Sequence, residues 1–495
     1  WSVALFAFTF GLHTRHAQFP FFRHPDEPGK VEQVLSRQWN FHHPMLLLST
    51  TRLVMAARQG ASSEQAVVEI GRSVSAAFTA IAVVALSICA FLWRGPFEMI
   101  VGGVALALHH QLYELSHYMK EDAALLMGTA LVVLAVFWFA RQAGALRAAS
   151  VGIACALCIS GKYIGAILLL VALPVIWLPR EERVRRLLAF GTALLLTLIV
   201  VNLPLLMDAE TFRKSFTREM DFVVHGQRGM TRRVPHAQYW NVFIDNTTPA
   251  IWLGLLALGS TRWRHWRTLT RAECCILGFP IFYAVLLSFS PKSNDRYFLP
   301  ATALLTTFAV LGARDAASRW TSNLKARGAV LLAYAVGLIV LQWFGWSRTH
   351  PGLWQYDVAF QTDDVTELAA FIRRTVPANS VIASDNRAGL PNERRARRGQ
   401  VADPLPHKVL GGRYAADVGS LSELRAAGVT HVAVSESDYG RFFLDGLRPR
   451  ADERDDFARR KSFYEELFHT GENLWERRRG TVIYLHPGIR LYRLR

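Results

Sequence analysis

The sequence predicts a polytopic α-helical membrane protein of about 11 transmembrane helices, followed by a C-terminal soluble α/β domain. Three observations lead there. Of 495 residues, 51% are hydrophobic and only 19% are charged, and the mean hydropathy is +0.18. Near-continuous apolar runs recur, close to the roughly 20 residues a helix needs to cross a bilayer. These runs stop near residue 346, and short apolar segments with strand and helix spacing replace them. The expected division is therefore a transmembrane part, 1–346, and a soluble part, 347–495.

The opening run, 1–12, is too short to span and has no initiator Met before it. The sequence is accordingly expected to begin inside its first span, and no small-residue cleavage site marks a signal peptide. The acidic stretch FFRHPDEPGKVEQVLSRQWNFHHPM follows. Its Asp26–Glu27 pair sits in a Pro/Gly turn. Val31, Val34, Leu35 and Trp39 then recur near helical spacing, so 31–39 reads as a short amphipathic helix lying at the membrane surface. Further spans are expected over 66–93, 97–115, 123–140, 148–159, 163–178, 187–206, 249–260, 274–290, 298–312 and 328–346. A long polar segment, 207–248, interrupts the series.

Lys and Arg exceed Asp and Glu by 17, but much of the excess lies in short loops, where it serves topology and headgroup contact rather than nucleic acid. The loops holding Arg94, Arg141 and Arg147, residues 179–186, 261–271 and 314–327 are short and basic, which assigns them to the cytoplasm. The acidic loop, residues 117–122, 160–162, 207–248 and 291–297, and the C-terminal domain then share the opposite side. The five cysteines lie in or beside apolar runs, so no disulfide framework is expected.

In the C-terminal part, 367–374, 421–427 and 452–468 read as helices. Residues 380–384 and 430–434 read as strands, with 481–485 and 489–492 as a closing strand pair. Alternating helix and strand implies a small α/β domain. The Arg-rich stretch 387–398 reads as a solvated loop.

The chemistry concentrates at helix ends on the non-cytoplasmic side. Asp26 and Glu27 precede the surface helix. Lys120, Glu121 and Asp122 open the fourth span, Lys162 separates two spans, and Lys292, Asp295 and Arg296 precede the tenth. A single charge at mid-membrane costs about 2.5–3.5 kcal/mol, and each of these alone is explained by snorkelling to water. Together they place carboxylates in the early loops and cations in the later ones, which suits a base working beside a bound phosphate.

The motif HPDE after the first span, the His42-His43-Pro44 cluster, an Asp opening the fourth span and K-x-x-x-R-Y-x-x-P at 292–300 together resemble the GT-C superfamily of membrane glycosyltransferases. Within it, the chain looks most like the protein O-mannosyltransferases and the bacterial lipid A aminoarabinose transferases, over residues 1–346. The resemblance implies transfer of a hexose or pentose from a polyprenyl-phosphate-sugar donor to a glycan, lipid or protein acceptor, at the outer face of a bacterial inner membrane. It implies Asp26 as general base, acting with inversion, with Glu27 orienting it or binding a divalent metal. Asp122 corresponds to an acceptor or metal contact, and Lys162, Lys292 and Arg296 correspond to groups on the donor phosphate. Lys120, Glu121, His225 and Tyr297 are further candidate contacts, and Tyr297 and Pro300 also suit structural roles. Where relatives carry two prolines, this chain has His43-Pro44-Met45, so His42 and His43 stand as metal ligands with Glu27 or as structural groups. His225 and His236 lie in the long polar segment. A glycan ligase or oligosaccharyltransferase using a diphosphate-linked donor is the alternative within this class, and a lipid or solute transporter the alternative outside it.

Overall fold

The computed structural model describes the chain except residues 59–62, 178–181, 226–237, 264–265, 291–293, 398–402, 445–448, 450 and 495. The chain forms two compact units. One takes Trp1–Ala17 and most of residues 29–354, and the other joins Gln18–Pro28 to Gln355–Arg495.

The first unit is helical. After α1 (Ser2–His13) come α2 (Glu27–Ser36), which begins in the second unit's loop, and α3 (Leu46–Ala57), an apolar helix that the sequence reading did not single out. Ser63 starts α4 (Glu64–Trp93) by accepting the Ala66 amide, one of the donors a helix start leaves unpaired. The single span expected over 97–115 is instead two helices, α5 (Pro96–Ala107) and α6 (His110–Ser116). The break is polar: the His109 ring accepts the Gln111 amide and caps the second helix.

Two central helices follow, α7 (Glu121–Arg141) and α8 (Ala145–Gly161), then α9 (Leu169–Trp177) after a 3-10 turn over Tyr163–Leu168. The run expected over 187–206 divides at Asn202 into α10 (Arg183–Val201) and α11 (Leu203–Met207). The long polar segment contains α12 (Ala209–His225) and α13 (Gln238–Asp245). The membrane unit closes with α14 (Pro249–Trp263), α15 (Arg271–Ser288), α16 (Leu299–Trp320) and α17 (Leu324–Phe344). A Thr270–Glu273 capping box starts α15, and Asn323 caps α17.

Among the described residues, six helical stretches are long and apolar enough to cross a membrane, and five shorter apolar helices accompany them. Their burial differs. The apolar windows of α4, α7 and α16 are 72–83% buried, whereas those of α10 and α17 are only 11% buried. The outer helices present Leu188, Leu195, Leu196, Val200, Leu332 and Val336 to the surroundings. A largely aliphatic surface of this kind is tolerable in lipid, which has no competing water.

In the second unit, α18 (Leu353–Ala359) and α19 (Asp364–Thr375) precede a five-stranded sheet. A two-stranded ribbon, β1 (Gly345–Ser347) and β2 (His350–Pro351), lies before it in the first unit. The sheet has β3 (Val381–Ser384) between β4 (Lys408–Gly411) and β5 (Val429–Ser435), all parallel. β6 (Glu472–Arg477) and β7 (Ile489–Arg493) add an antiparallel edge, giving the order β4-β3-β5-β7-β6. Strand alternation fills both faces. Val432 and Val434 join Leu421, Tyr464 and Leu467 on one side, while Ala433 and Ile382 join Leu368 and Ile372 on the other.

The expected strand at 481–485 is not one. β7 pairs instead with β6, whose Glu472, Asn473, Glu476 and Arg477 hide the apolar alternation, as edge strands often do.

Candidate active site

The site is built on the crossing of α7 and α8. Two glycines let these helices touch: a side chain at Gly128 would overlap Cys158, and a methyl at Gly161 would lie 2.8 Å from the Ala124 carbonyl carbon. Gly161 ends α8 and Lys162 caps it, while Glu121 and Asp122 open α7, where the positive end of the helix favours carboxylates. Close backbones at this end bring side chains forty residues apart together. The Lys162 ammonium donates to Asp122 Oδ1 at 2.6 Å.

Arg296 reaches the other oxygen, its Nε 3.7 Å from Asp122 Oδ2. It belongs to a 3-10 turn, Asp295–Phe298, that Asn294 starts by accepting the Arg296 amide. The next residue, Tyr297, puts its ring 4.5 Å from the Lys162 ammonium, a cation–π distance. One buried carboxylate thus holds two cations side by side, and the Tyr297 ring lies within cation–π distance of both.

Glu121 organises a second group. Lys30, on α2, donates to its carboxylate at 2.8 Å, and both groups are buried. His43 Nε2 lies 3.8 Å from Glu121 Oε2. Burial pulls the His43 imidazole down to about 4 despite the carboxylate, so at neutral pH it is uncharged. His42 faces elsewhere, 3.9 Å from Glu219 on α12. Lys120 is buried, and its amide donates to Ser75 Oγ.

The structure therefore unites Asp122, Lys162, Arg296 and Tyr297, and sets Glu121 with Lys30 and His43. Asp26 and Glu27 belong to the second unit. Glu27 is buried and Asp26 exposed, with the Asp26 amide donating to His24 Nδ1 at 3.2 Å. Lys292 and His236 lie outside the described residues, as does the His225 side chain, whose backbone ends α12. Among the described residues, no three His, Cys, Asp or Glu side chains gather as a metal cage. The two histidines of the suggested set do not converge, with His42 beside Glu219 and His43 beside Glu121. These residues do not fit a metal.

Two residues that pair with the site's side chains escaped the sequence reading. Lys30 stands within the acidic stretch, and only its burial distinguishes it from an ordinary surface lysine. Glu219 lies in the long polar segment, and no local pattern there points to His42.

The fold, with the charged site at its helix ends, is similar to that of solved structures. In particular, the chain is similar in structure to ArnT from Cupriavidus metallidurans bound to undecaprenyl phosphate, with a TM-score of 0.53, 14% identity, and coverage of 99% of this chain and 96% of that one. It is also similar to the oligosaccharyltransferase AglB from Archaeoglobus fulgidus in complex with an inhibitory peptide and a dolichol-phosphate. That match has a TM-score of 0.54 and 9% identity, and covers 90% of this chain and 70% of that one. In sequence, it is 24% identical over 225 residues to an undecaprenyl phosphate-alpha-4-amino-4-deoxy-L-arabinose arabinosyl transferase of Edwardsiella ictaluri. That match spans 43% of this chain and 40% of the relative's length. No protein-family model matches the chain.

Proposed function

We propose that this protein transfers a single sugar from a polyprenyl-phosphate carrier to an acceptor at the outer face of a bacterial cytoplasmic membrane. The observation that carries the reading is the buried Asp122 carboxylate gripping Lys162 and Arg296 at the ends of apolar segments. Two cations pre-set around one carboxylate are prepared for a second anion, and a lipid-borne phosphate is the anion that reaches such a position. The fold shared with an undecaprenyl-phosphate-bound ArnT and the partial sequence match to an arabinosyl transferase support this.

In the reaction, Asp26 accepts the proton of the acceptor O–H as that oxygen attacks the anomeric carbon. The bond from this carbon to the phosphate oxygen breaks on the opposite face, its electron pair stays with the phosphate, and the configuration inverts. Lys162 and Arg296, with Lys292, neutralise the charge that grows on the leaving phosphate, so their bonds are strongest in the transition state. Asp122 orients the two cations, and the Glu121–Lys30 pair fixes the start of α7 beside them.

The test is sugar release in detergent from a panel of polyprenyl-phosphate sugars, with wild type beside Asp26→Asn. Release by the wild type and its loss in the variant are expected. Equal behaviour of the two proteins would remove Asp26 from catalysis. The likeness to AglB favours a second reading, an oligosaccharyltransferase. Including a diphosphate-linked glycan in the panel separates the two by which carrier is consumed.

A further inference from the structure

The loop that carries Asp26 is packed as part of the C-terminal unit, and the contacts that hold it there are specific. Arg23 Nη2 lies 2.8 Å from Asp363 Oδ1, with both side chains largely buried, and donates to the Thr366 hydroxyl at 3.3 Å. Asp363 is itself rigid, because it caps α19 by accepting the Thr366 amide at 2.8 Å. The Phe22 ring has the Arg23 guanidinium at 4.7 Å and the Arg395 guanidinium at 5.2 Å. Arg395 is anchored in turn on the Gly389 and Asn386 carbonyls. Gly389 has φ +61°, a left-handed conformation that favours glycine, and a methyl there would lie 3.3 Å from Arg23 Nη1. Phe19 packs on Phe360, and the His24 ring sits 4.3 Å from that of Tyr484.

His24 is the last link. Its Nδ1 accepts the Asp26 amide, and its carbonyl accepts the Glu27 amide at 3.2 Å. His24, whose ring sits on Tyr484, thus holds the backbone on both sides of the Asp26 side chain, one side through the ring and the other through its carbonyl, and that side chain is exposed.

We propose that Asp363 and Tyr484 are positioning residues: through Arg23 and His24, the C-terminal unit sets the geometry of the catalytic loop. The inference rests on Asp26 being the base. It makes the C-terminal unit the support of the proposed base, acting on the rate of proton transfer and not on donor binding. A base displaced by about 1 Å from its working position can cost on the order of 100-fold in rate.

The experiment measures kcat and donor KM for the full chain in detergent, comparing wild type with Tyr484→Ala, Tyr484→Phe, Asp363→Asn and Asp26→Asn. Limited proteolysis of each variant reports whether the C-terminal unit stays folded. The expected result is a kcat loss of about 100-fold for Tyr484→Ala, a smaller loss for Asp363→Asn, unchanged donor KM, recovery in Tyr484→Phe, and wild-type protease resistance throughout. The inference is overturned if Tyr484→Ala and Asp363→Asn keep wild-type kcat. It is equally overturned if their loss appears in donor KM or comes with a protease-sensitive C-terminal unit. An active Asp26→Asn would instead overturn the assignment of the base, so the two failures are distinguishable.

Discussion

Asp26–Glu27 and Glu121–Asp122 are adjacent carboxylate pairs of the sequence-predicted site, each at the start of a helix, and the structure treats them differently. At the start of α7, both members are buried and each is met by a lysine, Glu121 by Lys30 and Asp122 by Lys162. At the start of α2 the pair is split: Glu27 is buried and Asp26 exposed. A buried carboxylate clamped by cations is a poor proton acceptor, because its charge is already satisfied, but it is a good organiser of those cations. An exposed carboxylate on a pinned backbone is suited to the reverse task. The same dipeptide chemistry is thus placed in two environments, one suited to an electrostatic scaffold and the other to the base proposed above.

The largest expected effect tests that division directly. Asp26→Asn should lower kcat by about 10²–10⁴-fold, the usual contribution of a general base, with little change in thermal stability. A variant that unfolds at lower temperature instead would place Asp26 with the scaffold pair.

Lys30→Met should do the opposite. Removing one partner of a buried ion pair leaves Glu121 uncompensated, at a cost of about 3–5 kcal/mol in stability. The double variant Lys30→Met/Glu121→Gln should recover much of that loss, and thermal unfolding in detergent reads both. Should the single and double variants be equally unstable, the pair does not carry the start of α7.

Gly161→Ala sharpens the geometric part of the comparison. A methyl pressed against the Ala124 backbone should cost about 1–3 kcal/mol. It should also separate α8 from α7 at the Lys162–Asp122 end, so donor affinity falls with stability. Unchanged donor binding would show that the close crossing is not what aligns the cations.

The smallest effect is a pH dependence of the C-terminal unit, which carries the exposed Asp26. His486 donates to Asp364 and to the Ala359 carbonyl, each at 2.8 Å. Burial alone would lower its pKa, but these two bonds, which only the doubly protonated ring makes together, outweigh burial and raise it. The stabilisation is full below the unfolded value of about 6.5 and is lost as pH rises through the higher folded value. Unfolding of this unit should therefore occur at lower temperature at pH 8 than at pH 6, and His486→Gln should flatten the difference.

Much of the helical unit was legible because hydropathy is a local property. The runs over 66–93 and 123–140 match α4 and α7 to within a few residues. The run over 97–115 misled because two histidines inside an apolar stretch barely change its mean hydropathy, although one of them starts a new helix. In the C-terminal unit, β5 was visible from its valines, whereas β6 was masked by the charges of an edge strand. Among the site residues, Asp122, Lys162 and Arg296 could be picked out as charges at helix ends. Lys30 and Glu219 could not, since their partners are supplied by distant segments.

By itself, the sequence determined that the chain crosses a membrane, roughly where it does so, and which charged residues stand at the ends of its apolar runs. These follow from composition counted over short windows, and no long-range contact alters them. Tertiary structure alone decided which charges meet and which environment each enters. Lys30 finds Glu121 across ninety residues, Arg296 finds Asp122 across more, and the acidic loop folds with Gln355–Arg495. Such pairings depend on which backbones can approach, as at Gly161 and Ala124, and approach is a property of the packed chain.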